Sequence, residues 1–119
     1  MLVIEIKSSE EVFAELDREV DGEIVADPTP RYSFASFDSM HKALAPNRMA
    51  IMRTLTGTGP ISIREIARRV GRDFKGVHSD VTSLIANGLL YKTEDGRVIF
   101  PYSRIHFDFE IGGIDRSAA

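Results

Sequence analysis

The stretch from Pro60 to Leu90, PISIREIARRVGRDFKGVHSDVTSLIANGLL, constrains the fold more than any other part of the chain. It reads as two amphipathic helices joined by a tight turn. Ser62 is suited to cap a helix N-terminus, and Glu65 three positions later completes a capping-box pattern. Ile63, Ile66, Ala67 and Val70 then fall at helical spacing and form one apolar stripe. Gly71 stops that helix, because a residue tolerating positive φ is favoured just past a C-terminus. In the second run Phe74, Val77, Val81, Leu84 and Ile85 make the apolar face, and Asn87-Gly88 closes it. Helix, short Gly-containing turn, helix is a helix-turn-helix arrangement.

The residues off the stripes carry the functional signal. Ser62 and Arg64 sit at the start of the first helix, Arg68 and Arg69 lie off its stripe, and Arg72 is in the turn. The second helix carries Lys75, Gly76, Ser79, Thr82, Ser83 and Ala86 opposite its apolar face, with His78 at the flank. Short side chains let a helix approach the major groove closely, and hydroxyls can bond phosphates or base edges.

The segments Gly-Pro-Ile-Ser-Ile-Arg-Glu-Ile-Ala, Gly-Arg-Asp-Phe-Lys-Gly-Val-His-Ser-Asp-Val and Leu-Ile-Ala-Asn-Gly-Leu-Leu resemble those of prokaryotic winged helix-turn-helix regulators of the MarR-like kind. Within that group the chain is similar to a family of DNA-binding proteins of archaea and bacteria, some of which act as antitoxins beside a small toxin. The resemblance spans roughly Phe34 to Glu110. It implies an α+β fold, a three-helix core with a β-hairpin wing. It also implies a transcriptional regulator, most simply a repressor, and a toxin protein as a partner if the antitoxin branch applies.

Charge distribution agrees with a DNA partner although the total does not. The net charge of the 119-residue chain is −3. Residues 46–92, however, hold eight Lys and Arg against three acids, whereas residues 1–45 hold four against ten. Basic charge is therefore concentrated on the helix-turn-helix, as an electrostatic footprint for nucleic acid would be.

In chain order, Leu2 to Lys7 reads as a short β-branched strand. Ser8 or Ser9 would cap a helix with Val12, Phe13, Leu16 and Val20 on its apolar side and acids elsewhere. That helix is a solvated surface, an acidic face for a basic partner, or a dimerisation element. Asp27-Pro28-Thr29-Pro30 reads as a linker. Tyr32 to Phe37 is a candidate strand, and Asp38 or Ser39 a cap for a short helix through Leu44. Pro46 opens the next helix, where its missing N–H costs nothing. Met49, Met52 and Leu55 of that helix are expected to face the core, with Ile51 to one side. Leu89 to Lys92 and Arg97 to Phe100 would flank a Thr93-Glu94-Asp95-Gly96 turn and form the wing. Arg97 either reaches a phosphate or minor groove or is simply solvated. Ile105, Phe107, Phe109 and Ile111 alternate with polar residues, predicting a strand with one buried face that the N-terminal strand and helix would cover.

The expected organisation is an N-terminal strand-helix appendage over 1–30, possible dimer contact included, a winged helix-turn-helix domain over 31–112 and a disordered tail over 113–119. No cysteine is present, which excludes disulfides and thiolate chemistry and suits a cytoplasmic setting. No signal-peptide pattern occurs and no apolar run approaches the ~20 residues of a membrane span. His41, His78 and His106 lack motif-spaced carboxylates, so no metal or other cofactor is expected. No phosphate loop or nucleophile motif points to an enzyme. The expectation is a sequence-specific regulator binding double-stranded DNA as a homodimer. The competing class is a protein-interaction module on the same fold.

Overall fold

The computed structural model describes residues 1–7 and 29–110. The expected acidic helix after Ser9, Ile111 and the 113–119 tail lie outside the described residues. What is described is an α+β fold of four helices and a few strands. In order these are β1 (Leu2–Ile6), β2 (Arg31–Phe34), α1 (Phe37–Ala43), α2 (Pro46–Leu55), α3 (Ile63–Val70), α4 (Phe74–Ala86), β3 (Tyr91–Lys92), β4 (Val98–Ile99) and β5 (Ile105–Asp108).

The helices start and stop for local reasons. Pro46 occupies the first turn of α2. The Ser62 hydroxyl accepts the Glu65 N–H at 3.1 Å, capping α3. Gly71 ends α3 in the left-handed region at φ 70°, and the next N–H, that of Arg72, returns to the Ala67 carbonyl at 3.1 Å. Asp73 caps α4 by accepting the Gly76 N–H at 2.9 Å. The cap of α1 differs from expectation. It is Ser36, not Asp38 or Ser39, whose hydroxyl accepts the Ser39 N–H. Ser36 is extended, as a cap must be, and Asp38 falls in the first turn, where a carboxylate suits the helix dipole.

The core joins every layer. Ile51, Met52 and Leu55 of α2, Ile66 of α3, and Val77, Val81 and Leu84 of α4 are fully buried, together with Leu89, Leu90, Val98 and Phe100. On the helices, two inward assignments need correction. Ile51 of α2 is fully buried, whereas Met49 is only partly so. Phe74 is 46% exposed, because it stands one turn before Val77, where α4 projects past the edge of the core.

β3 and β4 pair antiparallel, Tyr91 with Ile99 and Lys92 with Val98, around a turn whose Gly96 has φ 82°. The strands are shorter than their alternation predicts, since Leu89 and Leu90 turn into the core. Ile61, just before α3, exchanges both backbone bonds with Val98, at 3.0 and 2.8 Å, and so ties the hairpin to the α2–α3 connection.

A second sheet has the order β2-β1-β5, with both neighbours parallel to β1. The strand at Leu2–Ile6 is therefore the middle of a sheet whose flanks come from Arg31–Phe34 and Ile105–Asp108. It lies beside β5 rather than over its apolar face. Being central, β1 is buried on both sides: Leu2 and Ile4 join the core, and Val3 and Glu5 are also buried. Glu5 is matched by Arg31 at 3.1 Å, Lys7 at 3.3 Å and the Ser33 hydroxyl at 2.9 Å. Burial pushes its carboxyl up, but these hydrogen bonds, led by Ser33 and Lys7, leave it below its usual range. On β5, Ile105 and Phe109 nearby are half-buried, whereas Phe107, expected inside, is 39% exposed. Its ring meets Phe109 edge-on, and Phe109 meets Phe37, each at about 6 Å between centroids.

Candidate nucleic-acid interface

Apart from Arg97 on the hairpin, the basic and hydroxyl-bearing residues singled out in the sequence come from α3 with its cap Ser62, the Gly71–Asp73 turn and α4, helices that pack on one another and on α2. Burial of Val77, Val81 and Leu84 turns the opposite side of α4 outward. There Lys75, His78, Ser79 and Thr82 are exposed and Ser83 is half-buried. The Thr82 hydroxyl donates to the His78 carbonyl one turn earlier at 2.8 Å, leaving its oxygen lone pairs outward.

Gly76 lies differently from the others. A Cβ there would come within 3.1 Å of both the Arg72 guanidinium and the Asp73 carboxylate. The missing side chain makes room for that arginine and for the cap, on the flank of α4 rather than at the centre of its exposed face.

Arg72 reaches back to Asp80 on α4, with Nη1 donating to Oδ2 at 2.8 Å. Arg48 of α2 donates Nε–H to the other carboxylate oxygen at 3.2 Å. Asp80 thus pins α2, the turn and α4 at one point, and all three side chains are about three-quarters buried. The sequence offered no signal for this node, since Asp80 falls among several acids and its partners are 32 and 8 residues away.

On α3, Glu65 does not complete a reciprocal capping box. Its carboxylate is shared by Arg68 and by Arg69, the latter at 2.9 Å. Hydrogen bonds from Arg68 and then Arg69 lower the Glu65 carboxyl to about 2. Two guanidiniums around one exposed carboxylate leave a net positive edge. Arg64 and Lys75 have no carboxylate partner among the described residues. The Arg64 guanidinium instead lies over the Phe74 ring, 5.4 Å from its centroid. Arg97 on the hairpin is exposed and paired with Asp95 at 2.7 Å. The Ser62 hydroxyl is engaged in its cap.

Chemically, this surface offers hydrogen-bond donors and positive charge on a rigid helix pair. Among the described residues no group of His, Asp or Glu is arranged to hold a metal ion. Likewise no described helix is long and apolar enough to cross a membrane. Comparison with curated proteins and with solved structures gives no match. Residues 43–107, more than half of the chain, match the profile of the HVO_A0114 family. That span runs from the end of α1 through both basic helices, the hairpin and most of β5. The chain belongs to the HVO_A0114 family.

Proposed function

We propose that this protein is a sequence-specific regulator of transcription, acting as a repressor, that binds double-stranded DNA through α3 and α4 in a winged helix-turn-helix arrangement. One observation carries this reading: the outward face of α4 presents Lys75, His78, Ser79 and Thr82, with Arg64, which has no carboxylate partner among the described residues, Arg68 and Arg69 on the neighbouring helix. A helix with such a face enters the major groove at its N-terminal end. Arg64, Arg68, Arg69 and Lys75 then contact phosphates, Ser79, Thr82 and Ser83 face base edges or nearby backbone, and the β3–β4 hairpin with Arg97 lies along the flanking groove, while Arg72, held by Asp80, braces α4 rather than meeting the DNA. The protein works as a homodimer, with the exposed Phe107 of β5 at or near the interface. An antitoxin role, with a toxin protein as partner, is the subtype suggested by family resemblance.

The test is binding to duplex DNA as a function of salt. Three to four phosphates per subunit of a dimer give a log-log slope of about −5 to −7, at ~0.9 per phosphate. Ser79→Glu places a carboxylate against the DNA and abolishes binding, while its thermal midpoint stays near wild type because surface changes shift stability by less than about 0.5 kcal/mol. A folded Ser79→Glu protein that binds at full strength, or a wild-type slope near zero, overturns the reading in favour of a protein-interaction module.

A further inference from the structure

The exposed ring of Phe74 is the feature that the pattern of basic and hydroxyl residues does not absorb. It is the first residue of α4 and is 46% exposed. A large apolar side chain there would ordinarily be a liability on a surface otherwise built of Lys, Ser, Thr and Arg. It is also held in place. The Arg64 guanidinium lies 5.4 Å from the ring centroid on one side. The His78 imidazole, one turn along α4, lies 5.8 Å from it, tilted by 37°. Two cationic or polar planes therefore fix the ring between α3 and α4 while leaving its outer edge open.

Resting on the DNA-binding reading above, we propose that Phe74 is a specificity-determining residue that recognises the C5-methyl group of a thymine in the major groove. The first turn of a groove-entering helix is the part nearest the base edges. Of the major-groove groups, the thymine methyl is the one that an apolar side chain can recognise, and Phe is among the residues that contact it. The flanking chemistry fits the same place. Arg64 lies over the ring and has no carboxylate partner among the described residues; Phe74 itself follows the apolar phase of α4 but stands exposed at its first turn, next to Lys75 and one turn before His78, at the margin of the outward face. An apolar edge between two donors is built to read one methyl among acceptors. A protein-binding surface would instead need a wider apolar patch, and Phe74 is the one large hydrophobic residue of α3 or α4 that is exposed.

The experiment uses the full chain. A duplex is first selected from a random double-stranded pool with the wild-type protein. Each thymine in it is then replaced singly by deoxyuridine, which removes only the methyl. Wild type is expected to lose about four-fold in affinity, the value of one buried methyl, at one position of each half-site, and to be indifferent elsewhere. Phe74→Ala, with folding checked by circular dichroism, is expected to bind the thymine and uracil duplexes equally. Phe74→Leu should retain part of the discrimination. The proposal is overturned if wild type never distinguishes thymine from uracil, or if Phe74→Ala distinguishes them as wild type does. In both cases binding to the selected duplex persists, so the DNA-binding reading survives. If no duplex is enriched or bound, that reading falls and this proposal falls with it.

Discussion

Replacing Asp80 by alanine tests whether one carboxylate holds α4 against the rest of the molecule. The change removes both bonds, to Arg72 at 2.8 Å and to Arg48 at 3.2 Å, and leaves two guanidiniums facing one another. A hydrogen bond to a charged group contributes about 1.5–3 kcal/mol when buried, whereas an exposed ion pair contributes at most about 1 kcal/mol. The Asp80 side chain is 18% exposed and each arginine 26%, so the pair of contacts sits between these limits. Allowing for screening and for the better helix propensity of alanine, the loss is about 2–3 kcal/mol at neutral pH. For a chain of this size that lowers the thermal midpoint by roughly 8–12 °C.

The pH dependence supplies the sign. Burial pushes the Asp80 carboxyl up, and the Arg72 and Arg48 bonds outweigh that, leaving it below its ordinary value of 3.8. A depressed carboxyl stabilises the folded state above the unfolded-state value, and the contribution is lost as pH falls through the folded one. Wild type and Asp80→Ala should therefore differ by a constant amount between about pH 5 and 7 and converge below about pH 4, measured by urea midpoints at fixed salt. A loss below about 0.5 kcal/mol at pH 7, or a gap that persists undiminished in acid, refutes the reasoning.

Glu65 should titrate near 2 by NMR at low salt and move toward its ordinary 4.5 in high salt, since its partners Arg68 and Arg69 are exposed. Glu65→Gln frees both arginines and should tighten binding to any duplex at low salt, as gel shifts would show. Gly71→Ala forces a Cβ into a left-handed residue at φ 70° and should cost about 1–2 kcal/mol in denaturant melts. Val81→Asp puts a charge at a fully buried position and should abolish the cooperative unfolding transition. Phe107→Asp should give monomers or insoluble protein by size-exclusion chromatography; a soluble, stable dimer would remove β5 from the interface.

The parts that were legible in the sequence are those decided by local chemistry. Ser62, Pro46, Gly71 and Gly96 each act within a few residues of themselves, and each sits where the pattern places it. Positions decided by what packs from afar are less legible. Phe74 follows the apolar phase of α4 but overhangs the core, so periodicity assigns it inward while the chain end of the helix leaves it out. Ile51 and Met49 are both apolar, and only the arrival of other elements determines that Ile51 is the more deeply buried. The Asp80 node is similarly non-local, and so is the bond from the Tyr32 hydroxyl to the Asn87 carbonyl at 2.5 Å, which ties β2 to the end of α4. Arg72 illustrates the limit for the site itself: a cation in a turn reads as free for a ligand, and the structure shows it bound to a carboxylate on the next helix.

The β2-β1-β5 sheet gives the molecule a fixed order of assembly. Leu2 pairs with Ile105, so nearly the whole sequence must be closed into a loop before that ladder forms, whereas α2, α3, α4 and the hairpin follow one another along the chain. Closing so long a loop is entropically costly and slow compared with docking adjacent helices. During synthesis β1 can pair with β2 early, but its other edge stays unpaired until residues 105–108 have left the ribosome. The helical portion can consolidate in the meantime. Heat or denaturant should open the sheet from the same end, so that amide exchange in Leu2–Ile6 outpaces that in α4.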